Sequence, residues 1–395
     1  MIRNLVGAAK RRVDSMRLPP AAAAAAAKDR AAGTREDPGA AAAIEAGLNW
    51  LGLAQDRSRT GDGGVARDYG VVSGWASSYP ETTGYIVPTF LEHGGLENDR
   101  EARARRMLDW LVSIQFAEGA FQGGMVDETP VRPVTFNTGQ ILFGLTAGAA
   151  RFGEPYGRAM TSAADWLVRT QSSDGCWRAH PSPFAKPGEK TYDTHVAWAL
   201  LEASRLTGRT DYAEAGLANI RWAIGHQRDN GFLDRCCLSN GMAPLTHTLG
   251  YALRGILEGY RFSGDPALLD ASRRLADGVR SALRPDGFLA GRLDETWNAR
   301  VNWSCLTGSV QIAACWLLLF DNESRHEDRD AALAANAYVR RTLDLAAPAE
   351  TCGAVRGSFP IDGEYNAFQF PNWAAKFMVD SCALEQRIAA TRIEA

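Results

Sequence analysis

Residues 164–177 read ADWLVRTQSSDGCW: an apolar helix end at Trp166 and Leu167, a glutamine at Gln171, and a turn at Gly175 followed by Cys176 and Trp177. The same frame recurs along the chain. Trp50 to Gln55, Trp110 to Gln115 and Trp222 to Gln227 keep the tryptophan-to-glutamine spacing. Glycine turns follow at Gly119 (GAF) and Gly231 (GFL), and again at Gly287 (GFL), where Leu283 stands in place of the glutamine. Gly119, Gly175, Gly231 and Gly287 are each 56 residues apart. A fixed period of this kind is the mark of a repeat architecture, and it is read before any single element.

Two helical stretches fill each period. One is amphipathic, as in EPYGRAMTSAADWLVRTQ or DPALLDASRRLADGVRSAL, with apolar residues at three- and four-residue spacing and charges on the opposite face. Asp265-Pro266 opens one of these with a capping carboxylate and a proline in the first turn. The other stretch is apolar nearly all round, as in NTGQILFGLTAGAA and SCLTGSVQIAACWLLLF. Helices of that second kind are buried. Starts near Gly84, Gly139, His195, Thr248, Gly308 and Ala374 give six of them. An open solenoid needs polar caps on its terminal repeats. Here the last buried stretch, PNWAAKFMVDSCAL, is as apolar as the middle ones. The reading is therefore an all-α, closed (α/α)6 toroid of six helical hairpins, one domain over residues 38–395, with short strands in the connecting loops.

The first 37 residues differ. Basic residues precede an alanine run, Ala21 to Ala27, too weakly apolar for a signal-peptide core or a membrane span. They read as a flexible leader, offering weak association with a membrane surface. Net charge of −3 and a pI near 6.1 give no basic face for nucleic acid. Seven cysteines without framework spacing point to reduced thiols and a cytoplasmic setting. CxxC and HExxH spacings do not occur, so neither a metal nor a cofactor is expected.

QSSDGCW at Gln171–Trp177 resembles the Q-x-x-x-G-x-W repeat of the squalene cyclase and protein prenyltransferase superfamily, with QFAEGAF, QRDNGFL and RPDGFL as degenerate copies. The resemblance runs through most of the chain beyond residue 45 and implies an α/α toroid. The acidic DxDD proton donor of the cyclases is missing, since DET at 294–296 and DGE at 362–364 do not match it, and the zinc ligands of the prenyltransferases are not found. A second resemblance lies in YPETTGYIVPTF (79–90), FNTGQILFGL (136–145) and LTHTLGYALRGILEGY (245–260). These are similar to a bacterial group tied to exopolysaccharide biosynthesis, the VpsJ-like proteins, which implies a glycan pathway.

In a toroid the inner helices run parallel, and their N-termini gather unpaired amides and partial positive charge at one mouth. Such a mouth favours anionic or hydroxyl-rich ligands. The residues entering it are polar: Glu81 and Tyr85; Asn137 and Gln140; Tyr192, Asp193 and His195; His247 and Tyr251; Trp303; Glu364 and Tyr365; Asn372 and Trp373. Each Asn, Asp, Ser or Thr among them also reads as an ordinary N-cap. Capping does not call for the rings of His195, His247, Tyr192, Tyr251, Trp303 and Trp373.

As a set they read as a site on an oligo- or polysaccharide. His195 and His247 would flank the sugar, Tyr192 or Tyr251 would donate a proton, and Asn137 would orient an acid or hydroxyl. Trp75, Trp177, Trp297, Trp303 and Trp373 are the candidate stacking platforms, and the remaining mouth residues would bind substrate. This Tyr–His–Asn complement is similar to that of toroidal alginate lyases and suits β-elimination or C5 epimerisation of a uronate. Hydrolysis by paired carboxyls such as Glu81 and Asp193 is a further glycan reading. Two readings from other classes remain beside it: an isoprenoid cyclase or prenyltransferase-like enzyme without the acidic motif, and a non-catalytic glycan-binding protein.

Overall fold

The computed structural model describes residues 18–95, 99–239 and 241–391. Thirteen α-helices appear among them. Six form the outer layer: α2 (Ala40–Asp56), α4 (Arg100–Ser113), α6 (Tyr156–Thr170), α8 (Thr210–Ile224), α10 (Pro266–Ser281) and α12 (His326–Arg340). Six form the inner ring: α3 (Pro80–Glu92), α5 (Thr135–Phe152), α7 (Thr194–Thr207), α9 (Thr246–Ser263), α11 (Leu306–Glu323) and α13 (Asn372–Thr391). Each inner helix packs on the next, and α13 returns to pack on both α2 and α3, so the ring is closed. The toroid read from the repeat is the observed fold.

The 56-residue frame has a physical cause in the ring. Nε2 of Gln115 donates to the carbonyls of Gly119 and Ala159, both at 2.9 Å, tying its own turn to the neighbouring outer helix. Gln171 does the same to Gly175 and Ala215, and Gln227 to Gly231 and Ala271. Gln55 opens the series on Gly63 and Arg103. The turn glycine is required by conformation and by space. Gly175 has φ +91°, and a Cβ there would lie 2.6 Å from the backbone of Ala218. Gly353 is a further copy that the sequence spacing hides. A Cβ on it would meet the carbonyl of Ala46 at 2.2 Å, which joins the last turn to the first outer helix.

Trp110 and Trp166 are buried, whereas Trp222 is half-buried with its ring against His226 at 4.7 Å. The three equivalent tryptophans are thus not equally packed. Asp265 caps α10 as expected, accepting from the amide of Ala267 at 3.0 Å. At the inner helices the hydroxyls serve as tethers rather than end caps. Thr83 accepts from Val65 N and donates to Tyr79 O, and Thr138 repeats this with Phe121 and Val134.

Short strands occupy the long loops that lead into the inner helices. β1 (Asp68–Gly70) pairs antiparallel with β2 (Gly74–Trp75) and with β5 (Gln369–Pro371), Tyr69 lying opposite Phe370. The lead-ins of the first and last inner helices are stitched together by this sheet, a second closure. β3 (Ser304–Cys305) pairs with β4 (Ser358–Phe359).

The expected leader divides. Residues 1–17 lie outside the described residues. Pro20–Ala32, by contrast, form helix α1, docked on the toroid. Asp29 is buried, pairs with Arg356 at 3.0 Å and accepts from Ile361 N, while Lys28 reaches Asp344. The alanines Ala22 and Ala26 are the buried face of that helix, which is why a run too weak for a membrane suits a docking surface. The boundary at residue 38 therefore falls inside packed structure. Among the described residues no helix is long and apolar enough to cross a membrane.

Candidate functional site

The toroid axis is closed midway by an aromatic layer. The ring of Tyr85 lies 5.3 Å from Phe377, and Tyr251 lies 6.0 Å from Phe377. On the side where the inner helices begin, a mouth cavity of about 280 Å³ sits above that layer. Its floor is Tyr85, Tyr251 and His247, and its walls carry Glu81, Tyr192, Tyr365 and Trp373. Close helix approach sets His247 in place: a Cβ on Gly308 of α11 would lie 2.5 Å from the His247 backbone nitrogen.

Of the residues expected from sequence, Glu81, Tyr85, Tyr192, His247, Tyr251, Glu364, Tyr365 and Trp373 line this cavity. The rest stand elsewhere. Asn137 is fully buried, and both polar atoms of its amide lack a hydrogen-bond partner. Gln140 is buried behind His195 and holds it. Asp193 faces a neighbouring crevice beside Lys190, with space of about 30 Å³. Trp303 belongs to a small apolar cluster with Leu245 and Cys305. Asn372 donates to Ala66 O at 2.9 Å and so fixes the β1–β5 corner.

His195 opens onto the opposite side of the aromatic layer and does not line the mouth. The two histidines thus do not flank one ligand above the inner helices; they sandwich Tyr251, at ring distances of 4.5 and 4.4 Å. Among the five candidate platforms, Trp373 lines the mouth. Trp177 and Trp297 are buried with their indoles bonded to Leu167 O and Asn230 O, and Trp75 packs on Trp50.

The loops, and two inner-helix positions, Phe136 and Gln311, bring in residues that sequence reading missed. Tyr79 donates its hydroxyl to Glu81 Oε2 at 2.9 Å. Arg67 pairs with Asp68, bonds Asn366 Oδ1 and lies 5.6 Å from the Trp373 ring centroid. Arg292 grips Glu364 through two nitrogens. Phe136 stacks edge-on to Tyr251, and half-exposed Phe184 leans on Tyr79 at 6.5 Å. Gln311 binds His247. For Gln311 there was a usable signal, a polar side chain inside a helix apolar all round. The loop residues carry no such periodicity.

Burial sets the protonation states. Glu81 is pushed up to about 7 by desolvation, against the Tyr79 hydroxyl and the Arg67 charge, which act the other way. Asp193 is pushed up to about 8 by burial, with Lys190 opposing. His247 is pulled down to about 4 by burial, and His195 well below its usual value by burial and the charges of Lys376 and Arg254. Tyr85, Tyr192, Tyr251 and Tyr365 are all raised, chiefly by desolvation, so their hydroxyls keep their protons. The mouth thus combines a carboxyl able to give a proton near neutrality, a neutral imidazole able to take one, and protonated phenols between them. Among the described residues no group of three or more His, Cys, Asp or Glu side chains is placed to hold a metal ion.

A closed six-hairpin toroid with a polar, aromatic-walled mouth defines the structural class. No family model and no curated protein matches the sequence. Solved structures do match. An unsaturated glucuronyl hydrolase specific for heparin aligns with TM-score 0.69 at 15% identity, over 88% of this chain and 97% of that one. The unsaturated glucuronyl hydrolase of Bacillus sp. GL1 aligns at 0.66 and 14%, over 87% and 96%. Cellobiose 2-epimerase from Bacillus thermoamylovorans aligns at 0.66 and 11%, over 85% and 95%. At such identities the likeness establishes a shared fold.

Proposed function

We propose that this chain is a glycan-active enzyme, with the mouth cavity as its active site and an acidic oligo- or polysaccharide as its substrate. The observation that carries the reading is Glu81, a carboxyl raised to about 7 on a cavity that also holds the neutral imidazole of His247. Its fold neighbours are named as unsaturated glucuronyl hydrolases and a cellobiose 2-epimerase, which supports carbohydrate chemistry in a toroid of this shape. Trp373 offers a face for a sugar ring, and Arg67 beside it offers a cation for a uronate carboxylate.

The chemistry is proton transfer at C5 of a uronate, where the adjacent carboxylate stabilises the carbanion. His247 Nε2 takes the C5 proton. In elimination the electron pair forms the C4=C5 bond as the C4–O4 bond breaks, and Glu81 or Tyr251 protonates the departing oxygen. In epimerisation the same carbanion is reprotonated on its other face. The three segments resembling exopolysaccharide-biosynthesis proteins support placing the reaction in bacterial polysaccharide synthesis or modification. Seven cysteines without a disulfide support a cytoplasmic location.

The test is incubation with uronic oligosaccharides in deuterated buffer. Unsaturated-uronate absorbance reports elimination, and deuterium at C5 without cleavage reports epimerisation. New reducing ends without unsaturation would move the assignment to hydrolysis. No reaction on uronates, with tight binding of a prenyl diphosphate, would overturn the glycan reading.

A further inference from the structure

Beyond the Tyr85–Tyr251–Phe377 layer the toroid is hollow. A cavity of about 780 Å³ runs along the axis toward the C-terminal ends of the inner helices, and all six of those helices line it. That volume lies within the range of small-molecule sites.

Three polar residues of the bore can offer groups to a ligand. Thr146 of α5 lines the cavity and is 8% exposed; its hydroxyl has no hydrogen-bond partner and is turned from solvent, so a χ1 rotation would bring it onto a ligand. His195 lies at the inner end of the bore with Nδ1 on Gln140 Oε1 at 2.8 Å, which leaves Nε2 for whatever enters. Lys376 is buried at the start of α13, paired with Asp380 at 2.6 Å. Cations in a last helical turn complement the helix dipole, which accounts for Arg205 and Arg261. Lys376, one turn into its helix, is held instead by Asp380 and the Tyr85 and Phe377 rings, and Arg254, in the middle of α9, by Glu258 and the Trp198 ring.

The pairing of charges defines the ligand class. Lys376 with Asp380 (2.6 Å) and Arg205 with Glu202 line the bore and each present donors and acceptors side by side. A ligand of one charge would be repelled by half of every pair, whereas sugar hydroxyls both donate and accept. Phe143 and Phe377 supply apolar wall for the C–H faces of sugar rings.

We propose that this bore is a second binding site, for a neutral oligosaccharide entering from the end opposite the mouth, independent of what the mouth does. The test is calorimetric titration of the full chain with cellotriose, maltotriose and xylotriose, and with trigalacturonate as the acidic comparison. At least one neutral probe should bind. Thr146→Val should weaken it at least five-fold without lowering the melting temperature, because no protein atom uses that hydroxyl. Thr146→Trp, which fills the bore, should abolish it, and Trp373→Ala in the mouth should leave it unchanged. The proposal is overturned if none of the neutral probes binds, if Thr146→Val binds like wild type, if Trp373→Ala removes the binding, or if Trp373→Ala still binds trigalacturonate more tightly than every neutral probe.

Discussion

Nδ1 of His247 lies 2.7 Å from Oε1 of Gln311. A carbonyl oxygen can only accept, so Nδ1 carries the proton and Nε2 is left as the basic nitrogen. Gln140 does the same for His195 across 2.8 Å. Two glutamines, each inside an apolar inner helix, therefore fix the tautomers of two histidines on either side of Tyr251.

Replacing Gln311 by Leu removes that acceptor at nearly constant volume. Nitrogen NMR of His247 should change from a single Nδ1–H tautomer to a mixture. Turnover should fall on the order of ten- to a thousand-fold, with a smaller change in KM, since a wrongly protonated base blocks the proton step. An unchanged tautomer would show that Gln311 is packing only.

The repeat glutamines make a sharper stability prediction. Gln171 Nε2 donates to Gly175 O and Ala215 O, at 3.0 and 2.9 Å. Gln171→Ala removes both bonds, leaving Gly175 O only its bond from Asn219 Nδ2, and should cost about 1–3 kcal/mol in denaturant unfolding. Leu283→Gln, which restores the frame in the fifth copy, should be neutral or stabilising.

The fold was legible because its period is a contact: each 56-residue step carries one turn glycine onto the next outer helix. The sixth copy, Gly353, was hidden because the preceding link is longer, yet it makes the same contact with Ala46. Apart from Glu364 and Tyr365, which lie in the loop before the last inner helix, the site was legible where helices deliver it. His195 and His247 are each the second residue of an inner helix, but a 3-10 turn at Thr191–Asp193 extends the start of α7. That turn makes His195 the fifth residue of a helical stretch, so it opens onto the bore, while His247 stays in its first turn at the mouth. Arg67, Tyr79 and Arg292 arrive on loops, where no periodicity marks which side chain turns inward.

Equivalent tryptophans should not be equivalent energetically. Trp166 is 4% exposed, and Trp166→Ala should cost roughly 3–5 kcal/mol through lost burial and a cavity. Trp222 is half-buried, so Trp222→Ala should cost clearly less. Equal losses in matched unfolding curves would contradict the packing described.

Helix α1 should contribute to the stability of the toroid. Asp29→Ala leaves the buried guanidinium of Arg356 without its carboxylate and Ile361 N without its acceptor. Removing one partner of a buried pair costs about 3–5 kcal/mol, far more than an exposed ion pair. A loss below about 1 kcal/mol would show that residues 20–32 are dispensable to the fold.

Glu81 makes both activity and stability fall as pH rises, but its replacement moves the two apart. As a proton donor it must be protonated, so turnover should fall as pH rises through about 7. As a base His247 must be neutral, so turnover should also fall as pH drops through about 4. Glu81→Gln should lower turnover by about 10²- to 10⁴-fold and remove the alkaline limb. The stability effect has the same sign with pH. The folded-state value of Glu81 is raised from 4.5 to about 7, so its contribution is fully present below 4.5 and is lost as pH rises through 7. Gln cannot ionise and avoids that loss. Glu81→Gln should therefore melt close to wild type at pH 4 and above it at pH 9, by at most about 3 kcal/mol, as a shift of this size allows. A variant less stable than wild type at pH 9 would mean that the carboxylate is well solvated in the mouth, and Glu81 would lose its place as the acid.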